Sequence, residues 1–138
     1  MFRFVVLHLR WAAQVPGLPQ FFDAMMLAWI ALLHRPRLSA MEAVEAAALK
    51  IPGVRLGVHR LGGIEFRLSE RELGHLHGNG LLDVRVGVNE ACELVRKGWA
   101  GPHHLFGKSA WVSFWVRTHE DVGPAMNLLE IASDRRLP

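Results

Sequence analysis

The sequence predicts an α+β fold: an antiparallel sheet of four to five strands with helices mainly on one face, plus an N-terminal helical extension. Three observations carry that expectation. Short apolar segments with turn residues between them follow one another from residue 54 to residue 86, and strands that are consecutive in sequence favour antiparallel pairing. Helical periodicity is confined to stretches before Pro52, between Glu90 and Lys97, and after Thr118. The pair Asn79-Gly80 sits between two strand-like runs, the strongest short-range mark of a hairpin.

Residues 1–37 read as an apolar helical segment and residues 38–138 as the α+β domain. In the first, Met1 to Ala13 and Phe21 to Leu33 are greasy stretches separated by Pro16, Gly17 and Pro19. Neither reaches the ~20 apolar residues that a membrane-spanning helix needs. Leu33 to Arg37 offers no small-residue cleavage site for a secretory signal. Two readings stay open: helices packed on the domain or on a second copy in a homo-oligomer, or a peripheral membrane element. The second would set Trp11, Trp29, Arg3, Arg10, Arg35 and Arg37 at the lipid interface. The expected location is cytoplasmic, with membrane association through residues 1–35 left open.

Within the domain, Ser39 followed by Glu42 has the pattern of a capping box, so a helix is expected from Ala40. Val44, Ala47, Ala48 and Ile51 trace its apolar face, and Pro52-Gly53 ends it. Val54 to His59 and Ile64 to Leu68 read as strands around the Gly62-Gly63 turn. Arg71 to His77 and Leu81 to Val86 flank the Asn79-Gly80 turn. Asn89 is placed to cap a helix from Glu90 to Lys97, stopped by Gly98. After the loop Trp99 to Lys108, Trp111 to Arg117 has apolar residues on both faces, as in a central strand buried on both sides. Thr118 and Asp121 mark the start of a last helix carrying Val122, Ala125, Met126 and Leu129. Pro124 suits a first turn better than a helix interior.

Length, charge and cysteine count set limits. At 138 residues the chain has the size of one domain with one core, and its single cysteine excludes an internal disulfide framework. Cys92, beside Ala91, Leu94 and Val95, is expected to be a buried structural thiol. The net charge of +3 arises from 16 basic and 13 acidic residues with no basic run. With no zinc-finger spacing, phosphate-binding loop or RNA-binding signature, no nucleic-acid partner is expected. Gly62-Gly63 precedes no helix start and so reads as a turn, not a phosphate cradle; Ser113 has no local base partner and no strand-to-helix elbow, which argues against a serine hydrolase.

The chemistry-bearing residues are histidines. His75 and His77 lie two apart on one strand, so both leave the same face. With a two-residue turn they oppose Val84 and Leu82 and share an apolar face, while Glu72 and Arg85 point the other way. With a three-residue turn His75 faces Asp83 as a surface contact, so register decides between pocket and decoration. Three readings remain open: satisfied structural imidazoles, acid–base groups for oxygen chemistry, or metal ligands. A metal would need His103 or His104 to fold back as a third ligand. Trp99, Pro102, His103, His104 and Phe106 crowd a glycine-rich loop that reads either as ordered structure or as the wall of a pocket for a flat ring. In the second case Trp99 stacks, His103 bonds a ligand oxygen, and Trp111 could line the cleft.

Arg71-Glu72-Leu73-Gly74-His75-Leu76-His77, then Arg96-Lys97-Gly98-Trp99 with His103 and Gly107, then Trp111 to Phe114 and a terminal amphipathic helix, resemble the luciferase-domain family. The resemblance runs over about residues 38–133 and, in the family's bacterial members, extends to Pro52-Gly53 and Gly62-Gly63-Ile64-Glu65-Phe66. That family includes fungal luciferase. The resemblance implies oxygenation of a planar hydroxylated aromatic or pyrone-type small molecule, with molecular oxygen as co-substrate and no organic cofactor. His75 and His77 become the catalytic pair, and Arg71, Trp99, His103, His104 and Trp111 the substrate-binding residues. Arg71 could reach the site only if a bulge turns it inward. No metal is favoured on this reading. The alternatives are a noncatalytic small-molecule-binding or interaction module, and a metal enzyme using His75, His77 and His103.

Overall fold

The computed structural model describes residues 15–103 and 109–134. Their order is α1 (Leu18–Leu33), α2 (Arg35–Ala48), β1 (Val54–Val58), β2 (Ile64–Leu68), β3 (Arg71–Leu76), β4 (Leu81–Arg85), α3 (Val88–Arg96), β5 (Gly101–Pro102), β6 (Trp111–Trp115), a 3-10 turn (His119–Asp121) and α4 (Val122–Asp134). The sheet is antiparallel throughout and has six strands among the described residues, in the order β1-β2-β3-β4-β6-β5. The α+β class is as expected, with more strands because the pair Gly101-Pro102 adds an edge to β6.

Pairing places Leu56, Phe66, Gly74, Val84 and Val112 in one row across the sheet, and Ile64, Leu76, Leu82 and Phe114 in the next. Directly paired residues share a face, so this side is apolar, and it forms the core with Ala40, Met41, Val44 and Ala48 of α2 and Ala125, Leu128, Leu129 and Ala132 of α4. The row between them runs Glu65, His75, Asp83 and Ser113 on the opposite face. That division corrects the expectation for the Trp111 strand. Val112 and Val116 are buried, but Ser113 and Trp115 lie on the side away from the core, and Trp115 is exposed.

Several helix starts differ from expectation for physical reasons. α2 begins at Arg35, five residues before Ala40, because Pro36 suits a first turn; Ser39 lies inside the helix and its Oγ meets His119 Nε2 at 3.0 Å. α3 starts at Val88 behind Gly87, with no side-chain cap from Asn89. It buries Ala91 and Leu94, and Cys92, one position round from Ala91, is exposed instead of buried. The Thr118–Asp121 capping box forms as expected, on the 3-10 turn that leads into α4.

α1 docks on the domain through a carboxylate. Asp23 is buried, and its Oδ1 accepts a hydrogen bond from the Gly78 backbone N–H at 2.7 Å. Glycine is required at that turn, since a Cβ at Gly78 would stand 2.5 Å from the Asp23 carbonyl oxygen. Ile30 is buried too, while Phe21, Met25, Trp29 and Leu32 are exposed. Among the described residues no helix is long and apolar enough to cross a membrane. Met1 to Ala13, with Trp11, Arg3 and Arg10, lies outside them.

Candidate functional site

The hairpin that carries the histidines adopts the three-residue turn. Leu76 pairs with Leu82 and His75 with Asp83, and the loop closes by hydrogen bonds from His77 N to Leu81 O and from Gly80 N to His77 O, both 2.9 Å. This overturns the two-residue reading and its apolar surroundings. It also overturns the consequence attached to the alternative, because Asp83 is fully buried and the contact is no surface decoration.

His75 and His77 do share a face, with ring centroids 4.9 Å apart. A β-bulge adds a second carboxylate. Phe66 pairs with Gly74, but the next residue, Arg67, pairs with Glu72, so β3 carries an extra residue at Leu73. The parity of the strand reverses there. Glu72 is thereby turned toward the imidazoles, opposite to expectation, and its Oε1 lies 2.7 Å from His75 Nδ1. Arg71 turns the other way and donates to the Ser133 carbonyl of α4 at 3.0 Å, on the helical side of the sheet.

Asp83 is the centre of the group. Its Oδ2 lies 3.2 Å from His77 Nε2, 3.6 Å from His75 Nε2 and 3.7 Å from His103 Nε2. Its Oδ1 accepts a hydrogen bond from Ser113 Oγ. His59, just past the end of β1, stacks flat on His75 with centroids 3.9 Å apart, and its Nε2 is 3.7 Å from Glu72 Oε1. Trp111 leans over the group, 5.7 Å from the His75 ring and 6.0 Å from that of His103.

The electrostatics follow from this crowding. Burial works against a charge on His75, but the Asp83 and Glu72 carboxylates outweigh it and raise the imidazole to about 9. Burial and the neighbouring His75 charge lower His59 to about 4, against a smaller opposing pull from Glu72. Burial would raise Glu72, yet His75, His59 and Arg67 together hold it below the usual carboxylate range. At neutral pH the stack is therefore a neutral His59 on a charged His75, braced by two carboxylates.

Of the residues expected to bind substrate, His103 and Trp111 join His75 and His77, while Arg71 does not. Trp99 does not join them either. It is 63% exposed, with Lys97 Nζ 5.0 Å over its ring. It lines a neighbouring hollow of about 440 Å3 with Pro102, Trp115 and Arg117, which touches the cluster through Ser113. His104 lies outside the described residues. Sequence reading missed His59 and the inward turn of Glu72, and it undervalued Asp83. A carboxylate in the apolar run Leu81-Leu82-Asp83-Val84 was the signal for the last; no local signal marked the bulge.

Fold and cluster together define a small α+β domain with one sheet face packed on helices and the other bearing a buried histidine–carboxylate site. The luciferase-domain family model matches residues 70–132, which span β3 to most of α4 and contain Glu72, His75, His77, Asp83, His103, Trp111 and Ser113. Over that stretch the chain is similar to the luciferase-domain family. No curated protein and no solved structure matches the chain.

Proposed function

We propose that this protein oxygenates a planar hydroxylated aromatic or pyrone-type small molecule with molecular oxygen and no organic cofactor. The observation that carries the reading is the convergence of His75, His77 and His103 on Asp83 beneath Trp111, within the stretch that matches the luciferase domain. In such a reaction a ring hydroxyl loses its proton and the electron-rich anion then gives up an electron to oxygen. The site must take that proton and hold negative charge. His77, beside the Asp83 carboxylate, suits the first task, and the charged His75 among the N–H donors of the cluster, in low-dielectric surroundings, suits the second. Trp111 supplies a flat apolar wall, and Ser113 connects the cluster to the hollow beside Trp99.

Oxygen uptake measured with a panel of hydroxypyrones and polyphenols tests the reading. Turnover is expected for the native chain. It should fall by at least ~100-fold in His75→Ala and His77→Ala, the scale on which positioned acid–base groups act. Circular dichroism should show the fold retained. Uptake unchanged in both variants would remove the cluster from the reaction, and no uptake with any of the panel would favour a binding module.

A further inference from the structure

We propose that His75, His77 and Asp83 bind a divalent transition-metal ion of the zinc, iron or cobalt group. The inference deepens the reading above by naming what holds the substrate's anion, but its argument is geometric and does not depend on which reaction follows.

Three imidazole Nε2 atoms surround one carboxylate oxygen, Asp83 Oδ2, at 3.2, 3.6 and 3.7 Å. Two of these separations are longer than a hydrogen bond. Ligand atoms held about 2.0–2.1 Å from a tetrahedral metal stand about 3.3–3.4 Å from one another, so the distances of His77 and His75 from Asp83 are those of the edges of a coordination shell. The ligand atoms of His75, His77 and Asp83 all lie within 4.8 Å of one another. Imidazole nitrogens with one carboxylate select a borderline transition metal over magnesium or calcium, which prefer an all-oxygen cage.

The surroundings orient two of the ligands, His75 and Asp83, as metal sites require. His75 presents Nε2 to the group because Nδ1 is held by Glu72 at 2.7 Å, and a carboxylate on the far nitrogen is the usual partner of a metal-bound histidine. His59 lies flat on the same ring and fixes its plane. Ser113 holds Asp83 Oδ1, so that Oδ2 faces the imidazoles. Glu72, His59 and His75 form a second group with metal-like spacing. His75 cannot serve both groups through one nitrogen, and the short Glu72 contact assigns Glu72 the supporting role.

The test uses the full chain purified without an affinity tag. Elemental analysis should find about one transition metal per chain. After chelation, titration with cobalt(II) should give the visible bands of a four-coordinate site, and zinc should raise Tm. His77→Ala and Asp83→Asn should weaken cobalt binding at least ~100-fold. Glu72→Gln should weaken it about 10- to 100-fold, and His34→Ala, at an exposed imidazole, should leave it unchanged. Absence of both the cobalt bands and the zinc-dependent rise in the native chain overturns the proposal even where a variant does not fold, as does native affinity in His77→Ala and Asp83→Asn. The two readings fail separately. Metal bound without oxygen uptake keeps this site and removes the oxygenase, whereas uptake undiminished in metal-free protein removes the metal.

Discussion

A carboxylate with no exposure in mid-strand costs several kcal/mol to desolvate unless charges and hydrogen bonds meet it. Asp83 is met by Ser113 on one oxygen and by imidazoles on the other. Asp23 solves the same problem more simply, with the Gly78 N–H. Asp23→Ala leaves that buried donor without its carboxylate and should cost about 1–3 kcal/mol in urea unfolding, with no effect on the histidine cluster; an unchanged midpoint would mean that Asp23 does not anchor α1. Glu45 tests the opposite sign. Burial, then the neighbouring Glu42 charge, raises its carboxyl above the ordinary value, so the folded chain binds its proton more tightly than the unfolded chain does. That contribution is complete in acid and is lost as pH rises through the raised titration. Glu45→Gln should therefore leave Tm unchanged at low pH and raise it slightly at neutral pH; equal shifts at both would exclude the carboxyl as cause. At this scale the sequence was partly legible. His75 and His77 were found by spacing, whereas Asp83 was read only as a surface contact of His75, although a carboxylate in an apolar strand was there to be seen. His59 was silent, because its partner is sixteen residues away and meets it only through strand pairing.

The hairpin shows how one step of register changes the chemistry of a face. Period-two alternation located β2, β3 and β4 to within a residue or so, because burial of one face enforces it. The same pattern could not count the turn residues, and Asn79-Gly80 suggested two where Gly78 makes three. Nor could it show the bulge at Leu73, whose effect is to exchange Glu72 for Arg71 on the site's face. Close approach of β3 and β4 depends on Gly74, where a Cβ would stand 2.4 Å from the Asp83 carbonyl oxygen. Gly74→Ala must push the two strands apart between His75 and Asp83. The expected loss is about 1–3 kcal/mol or more, with weakened cobalt binding beyond what the loss of stability alone explains. Native cobalt affinity in a destabilised but folded Gly74→Ala chain would show that the cluster tolerates a shift in its frame.

Across the whole molecule the two faces of the sheet divide the work of folding and of chemistry. The core joins α2, α4 and the apolar face, and none of its buried residues comes from α1. α1 instead closes over the turns that carry the hairpin: Asp23 binds Gly78, and a Cβ at Gly62 would stand 2.5 Å from the Asp23 Cβ. Removing residues 1–33 should therefore leave a chain that still folds. The loss is on the order of 3–6 kcal/mol, from one charge-assisted hydrogen bond at about 1.5–3 kcal/mol and burial of Ile30 at about 1.5–3 kcal/mol. Urea unfolding of the shortened chain should stay cooperative with a lower midpoint, and cobalt bands at the histidine cluster should persist, since none of its residues comes from α1. A shortened chain with native-like far-ultraviolet circular dichroism but no cooperative transition would mean that α1 is needed to fix the packing of the core, and that the sheet and its two covering helices are not a self-sufficient unit.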